Sequence, residues 1–286
     1  AIVKLLDIVV TNEENRIPPI EPVQVDADEL MAKYDKESAY RRLTGFPSKL
    51  VFGICVLWSI VQLYTGLFGT FPSTLQRAPH IAAAMTLVYL LYPIKGKSTK
   101  ITGHVPFYDY LLALACVFVG AYHVVMYDEL LLRAGSYNQM DIVVSCMAIL
   151  LLLEAARRVA GTVVVSIGSA FLLYAFFGHL IPRGLFLFHA RFSFRRVVCT
   201  EWLSTEGILG APIYVSSTFI FSFLVFATFL KASGVGDWMT GLATAACGGA
   251  VGGPAKAAVV ASALQGTISG SSVANVVSTG SVTIPL

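Results

Sequence analysis

Charge is scarce in this chain. Acids and bases make up 13% of its 286 residues, against roughly 25% in a soluble domain. The mean hydropathy is +0.73. These values exclude an ordinary water-soluble globule and point to the bilayer as solvent. The net charge of +3 is too small to name a partner. Cysteine is also sparse: Cys55, Cys116, Cys146, Cys199 and Cys247 are scattered, odd in number and without a CxxC pair. No disulfide framework or zinc site follows, and they read as small apolar residues. His80, His104, His123, His179 and His189 form no HxxxH or HxxE pair, so neither a metal centre nor a catalytic histidine is expected. A nucleotide-binding loop, a trustworthy Ser/His/Asp order and a basic stripe for nucleic acid are all missing. The first ten residues, AIVKLLDIVV, lack a signal-peptide cleavage pattern. An enzyme is therefore not expected, nor is a bound cofactor. The opening at Ala1 and the close at Ile-Pro-Leu in mid-pattern suggest part of a longer polypeptide.

Long apolar runs are abundant. After a polar, water-exposed segment over residues 1–46, with short helical pieces expected around 27–43, six runs approach the ~20 residues a helix needs to cross hydrocarbon. They lie at about 48–69, 75–94, 106–126, 138–156, 160–181 and 207–231. Tyr and Phe mark several ends, as amphipathic rings do at the headgroup level. With the N-terminus inside, Arg41, Arg42, Lys49, Lys95, Lys97, Lys100, Arg157, Arg158 and Lys231 fall on the cytoplasmic side. This obeys the positive-inside rule. The loop 182–206 does not, because Arg183, Arg191, Arg195 and Arg196 fall outside. Its GLFLFHARFSFRRVV pattern reads as a membrane-surface element or a docking surface.

The last stretch, GGPAKAAVVASALQGTISGSSVANVVSTGSVTIPL (252–286), has no charge after Lys256 and a Gly/Ser/Asn cluster at its centre. From Lys256 to Leu286 a single helix would be about 46 Å long, too long for a ~30 Å core. Split at Gly270, each half is about 23 Å, too short to cross. Two half-helices meeting in mid-membrane fit better, with Gly234–Gly253 as a lateral connecting helix. Broken helices at that depth line cavities and bind solutes or ions. Thr267, Ser269, Gly270, Ser271, Ser272 and Asn275 supply oxygens and helix ends for such a site. The alternative is a packing face, since Gly266 and Gly270 form a GxxxG.

Two acids carry further expectations. Glu154 has Arg157 and Arg158 at i+3 and i+4, which predicts an interfacial ion pair. Asp109, between Tyr108 and Tyr110, reads as a helix-start acid complementing the dipole; the alternative is an acid that pairs with a cation or relays protons in a cavity. The helices of 47–158 are expected to carry no buried polar cluster.

The runs GGPAK, VVAS, GTISGS, VANV and TGS-TIPL within 252–286 resemble the large membrane subunit of the tripartite ATP-independent periplasmic (TRAP) transporters. They look most like the fused permeases that work with TAXI-type solute-binding proteins. TEGILGAPIYVSSTFIFSFLVFATFLKASGVGDW (205–238) resembles the preceding helix and arm. QLYTGLFG, LLYPIKG, FYDYLLAL and LLEAARR resemble a fused small subunit.

The resemblance implies an all-α, multi-spanning protein of a bacterial inner membrane. A four-helix scaffold over 47–158 would be followed by the start of a transport domain over 159–286. That domain would include a re-entrant hairpin, 254–286, belonging to an inverted-repeat elevator. The resemblance also implies sodium- or proton-driven uptake of carboxylates or related organic anions delivered by a periplasmic TAXI-type binding protein. It places Ser269, Gly270, Ser271, Ser272 and Asn275 at the ion- and substrate-binding tip. The second hairpin is expected outside this sequence, so this segment by itself is not expected to transport. The competing reading is a non-transporting membrane scaffold, the role 47–158 suits.

Overall fold

The computed structural model of the protein describes residues 40–94, 101–102, 104–268, 275–276 and 279–280. Helices α1 (Phe46–Phe68), α2 (Ser73–Leu91), α3 (Phe107–Val125), α4 (Tyr127–Leu132), α5 (Gln139–Val159) and α6 (Thr162–Phe177) come first. A 3-10 turn, Gly178–Leu180, leads to α7 (Phe194–Leu203). Then α8 (Ala211–Val215), a π-helical turn (Ser216–Ile220) and α9 (Phe221–Ala232) follow one another directly. Last are α10 (Val235–Cys247) and α11 (Gly253–Gly266). The six expected apolar runs are all helical, with ends displaced by a few residues.

Residues 42–43 are not helical as expected. They form the two-residue strand β1 (Arg42–Leu43), parallel to β2 (Ile101–Thr102), with Arg42 opposite Ile101. The polar segment before residue 40 lies outside the described residues, as do Lys95, Lys97 and Lys100.

Local chemistry sets the helix boundaries. Pro47 sits in the first turn of α1, and Pro72 and Pro106 cap α2 and α3. Each fixes φ without sacrificing a needed hydrogen bond. A capping box opens α5: Asn138 Oδ1 accepts from Asp141 N, and Asp141 Oδ2 accepts from Asn138 N, both at 2.8 Å. Gly161 separates α5 from α6 with φ +92°, a conformation that costs a β-carbon residue energy.

Among the described residues, four stretches are long and apolar enough to cross a membrane: Phe46–Phe68, Phe107–Val125, Thr162–Leu180 and Ala211–Leu230. Helices α2 and α5 are less apolar because they are shielded by protein. The buried side of α2 includes Gln76, His80 and Thr86, and that of α5 includes Asp141 and Ser145. The core forms where α2, α3, α5 and α7 meet, around Tyr89, Cys116, Val119, Val144 and Trp202. Close approach of α2 and α3 depends on small residues. A β-carbon on Gly120 would stand 2.6 Å from that of Ala82. In lipid, helices associate through such packing and through polar contacts rather than through water exclusion.

The loop 182–206 contains a helix with a sided pattern. Val197, Val198, Cys199, Trp202 and Leu203 of α7 are buried, and α7 packs along α5. Cys199 faces Ser145 and Asp141, near the start of α5. The apolar side of α7 is thus covered by protein rather than laid on the membrane surface, which corrects the membrane-surface alternative for this helix. The loop sits at the end of the bundle opposite Arg157 and Arg158, because α7 packs near the start of α5 and the two arginines lie in the last turn of α5.

Candidate functional site

GGPAK starts α11. Gly252 caps it at φ +72° and Pro254 occupies its first turn. The helix runs for 14 residues, about 21 Å, too short for a ~30 Å core. At its end Thr267 Oγ1 donates to the Leu264 carbonyl at 2.6 Å. Asn275 then lies against this same helix. Its Nδ2 donates to the Ser262 carbonyl at 3.0 Å and contacts Ser262 Oγ at 3.2 Å. Thirteen residues of unbroken helix would hold the two about 20 Å apart. A straight helix from Lys256 onward is therefore excluded. Thr279 Oγ1 donates to the Asn275 carbonyl at 2.7 Å, the i−4 spacing of a helix. Of the expected tip residues, Asn275 is placed, half-buried; Ser269, Gly270, Ser271 and Ser272 lie outside the described residues. The expected connecting helix is α10. It packs along α11, where Ala243, Ala257 and Ala261 are buried. Gln265 Nε2 reaches the Gly236 carbonyl at 3.4 Å and Thr240 Oγ1 at 3.3 Å.

A buried polar hub joins α1 and α2 to the π-helical turn. Gln62 Nε2 and His80 Nδ1 are 2.8 Å apart, and His80 Nε2 reaches Ser216 Oγ at 3.1 Å. Gln76 Nε2 donates towards Gln62 Oε1 (3.2 Å), Thr65 Oγ1 (3.3 Å) and the Ser217 carbonyl (3.2 Å). The π turn interrupts the regular α ladder and leaves this carbonyl to an outside donor. Beside the hub, Arg77 Nη1 donates to the Leu209 carbonyl at 2.7 Å and its guanidinium lies over the Tyr214 ring. A cavity of about 440 Å³ opens next to it, lined by Gln62, Thr65, Ser217, Thr218, Ser222 and Phe223 among others. The expectation of no buried polar cluster within 47–158 is thus overturned. No member has a partner legible from the sequence, and Gln76 meets Ser217 across 141 residues. The one local signal is Gln76 and His80 at i, i+4, on one side of α2.

Ion pairs close both ends of the bundle. Asp109 lies in the first turn of α3, the expected helix-start position, but it does more than complement a dipole. It is fully buried, with Arg41 at 2.6 Å and Arg158 at 2.7 Å, which matches the cation-pairing alternative. Arg158 also donates to the Tyr92 carbonyl at 3.0 Å and covers the Tyr89 ring at 4.7 Å. Glu154 binds Arg157 at 2.7 Å and Arg158 at 2.9 Å, as the spacing predicts. At the opposite end, buried Asp141 accepts from Tyr122 at 2.6 Å and from Arg133 at 3.0 Å. Arg133 also holds Glu129 at 2.8 Å. Among the described residues, no group of His, Cys, Asp and Glu is placed to hold a metal ion.

Residues 147–286 match the family model described as the tripartite ATP-independent periplasmic transporter, DctM component. The match begins at Met147, inside α5, and takes in α6 to α11 and the residues that follow to 286. No curated protein and no solved structure matches the chain.

Proposed function

Because residues 147–286 belong to the DctM component family of TRAP transporters, integral inner-membrane permeases rather than enzymes, we propose that this chain drives solute uptake by an elevator motion. DctM components work with a periplasmic solute-binding protein. Our reading is that this one depends on a binding protein of the TAXI type, and that its solutes are carboxylates or related organic anions. A sodium or proton gradient supplies the energy. Residues 159–286 begin the transport domain, with 254–286 as a re-entrant hairpin. Ser269, Gly270, Ser271, Ser272 and Asn275 hold the coupling ion and the solute at its tip. Residues 47–158 form the scaffold against which that domain moves.

One observation carries the reading: an apolar helix stops at Gly266, and Asn275 is hydrogen-bonded back to Ser262. Helix ends inside a membrane leave carbonyls for a cation and N–H groups for an anion. The test is uptake by the intact permease in liposomes with its binding protein. Uptake should need an ion gradient, and Ser271→Ala with Asn275→Ala should weaken its ion dependence. Uptake indifferent to both gradients would remove the coupling claim. An unchanged ion dependence in the double variant would make the tip a packing element only. A purely scaffolding role remains the reading for residues 47–158, where buried ion pairs tie the helices together.

A further inference from the structure

The segment 181–196 combines basic charge with bare apolar side chains. No acid occurs between Glu154 and Glu201, while Arg183, Arg191, Arg195 and Arg196 fall within this interval. All four arginines are exposed. Phe186 is 100% exposed, and Leu185, Leu187 and Phe194 each show more than half of their surface.

The segment has a definite shape. Leu185 N bonds to the Pro182 carbonyl at 3.0 Å and Phe188 N to the Leu185 carbonyl at 3.1 Å, giving two successive turns. Tyr174 Oη donates to the Leu187 carbonyl at 2.7 Å. His189 folds over the end of α6, with one ring nitrogen on the Tyr174 carbonyl and the other on the Ala190 carbonyl. Gly178 leaves room for that ring, since a β-carbon there would collide with it. The His189 ring stacks on Phe192, and Arg196 covers the other contact of that phenyl at 5.1 Å. These contacts fix the backbone while Phe186 touches nothing.

We propose that this loop is a binding surface for anionic phospholipid in the leaflet on its own side of the membrane. The loop leaves the span Thr162–Leu180 at its end, so it runs at headgroup depth. There, exposed Phe and Leu enter the acyl boundary while arginines meet phosphate. Basic groups at a membrane surface attract anionic lipid by about a factor of five each. Four arginines on the predicted outer side violate the positive-inside rule, and a lipid anchor gives them a role there. An acidic protein partner would also suit the charge, but Phe186 and Leu187, bare at the membrane edge, favour lipid. The proposal rests on the membrane position of the loop and not on the transport cycle.

The intact permease in detergent would be titrated with phosphatidylglycerol or phosphatidylcholine and followed by native mass spectrometry. Wild type should retain phosphatidylglycerol preferentially. Changing Arg183, Arg191, Arg195 and Arg196 to Gln should weaken that binding by roughly a hundred-fold or more and leave phosphatidylcholine binding unchanged. Phe186→Ser keeps the charge and disturbs no packing. It should reduce protection of 181–193 from hydrogen exchange in phosphatidylglycerol nanodiscs. Equal retention of both lipids by wild type would overturn the proposal. So would undiminished phosphatidylglycerol binding in the arginine variant, or a loss confined to binding-protein affinity. Unchanged protection in Phe186→Ser would also contradict it.

Discussion

Polar side chains in residues 40–158 reach from one helix to another, whereas those in 162–232 mostly bond back into their own helix. In the first region Arg41 meets Asp109, Asp109 meets Arg158, Tyr89 Oη donates to the Leu151 carbonyl, and Tyr122 meets Asp141. In the second, Ser166 donates to the Val163 carbonyl, Ser222 to Thr218 and Thr228 to Leu224. Burial follows the division only in part: 39% of the α3 span is buried, against 6% of Thr162–Leu180 and of Ala211–Leu230, but α1 is only 11% buried. In lipid, cross-helix hydrogen bonds and small-residue packing hold helices together. A region rich in them is locked; a region without them is free to shift relative to its neighbours. Helix α7 and the start of the α8–α9 stretch are the exceptions: α7 is buried against α5, Arg77 holds the Leu209 carbonyl, and Ser216 and Ser217 are gripped by His80 and Gln76. The second region is thus tied to the first over 197–217 and makes few cross-helix hydrogen bonds elsewhere.

The contrast can be broken at its strongest point first. Asp109→Asn leaves Arg158 and Arg41 buried with less counter-charge, and breaking a buried pair costs about 3–5 kcal/mol. The folded yield and thermal midpoint of the purified permease should both fall sharply. A loss below about 1 kcal/mol would mean that the pair is exposed to water. Gln76→Leu should come next. It strips the Ser217 carbonyl and Gln62 Oε1 of their donor, at about 1–3 kcal/mol for each group left unmet. Distances between spin labels on α2 and α9 should broaden, while those within 40–158 stay narrow. Broadening in both regions would dissolve the distinction. Gly120→Ala should cost about 1 kcal/mol through contact with Ala82, seen as a modest drop in thermal midpoint.

The smallest effect is at His189. Its two carbonyl partners, Ala190 first and Tyr174 second, raise its pKa above the usual histidine value. Only the doubly protonated ring donates to both. The folded pKa is raised, so the stabilisation is complete below the ordinary value and disappears as pH rises through the raised one. The protection factor across 181–193, corrected for the intrinsic pH dependence of exchange, should fall between about pH 5 and pH 8, with that of 40–158 unchanged. Flat protection over that range would contradict the assigned contacts.

Sequence periodicity located the helices because hydrocarbon thickness demands long apolar runs. It located the Glu154 pairs because their partners are one turn away. That the last stretch is not one straight helix was legible because its length and glycine content disagreed with a single span; the expected split at Gly270 itself lies outside the described residues. The helix-start position of Asp109 was legible, but its partners were not, because Arg41 and Arg158 lie 68 and 49 residues away and nothing local marks them. Gln62 and His80 were hidden for the same reason: a single amide or imidazole in an apolar run shows no partner until helices pack. The burial of α7 against α5 depends equally on tertiary contact.

The account turns on a re-entrant tip that moves against a fixed scaffold. The most direct measurement replaces the five native cysteines, introduces Ser271→Cys in the intact permease, and applies an impermeant thiol reagent from each side of sealed vesicles. The account predicts labelling from either side as the imposed ion gradient and solute change, with slower labelling when coupling ion is bound. Labelling from one side alone under every condition would contradict it.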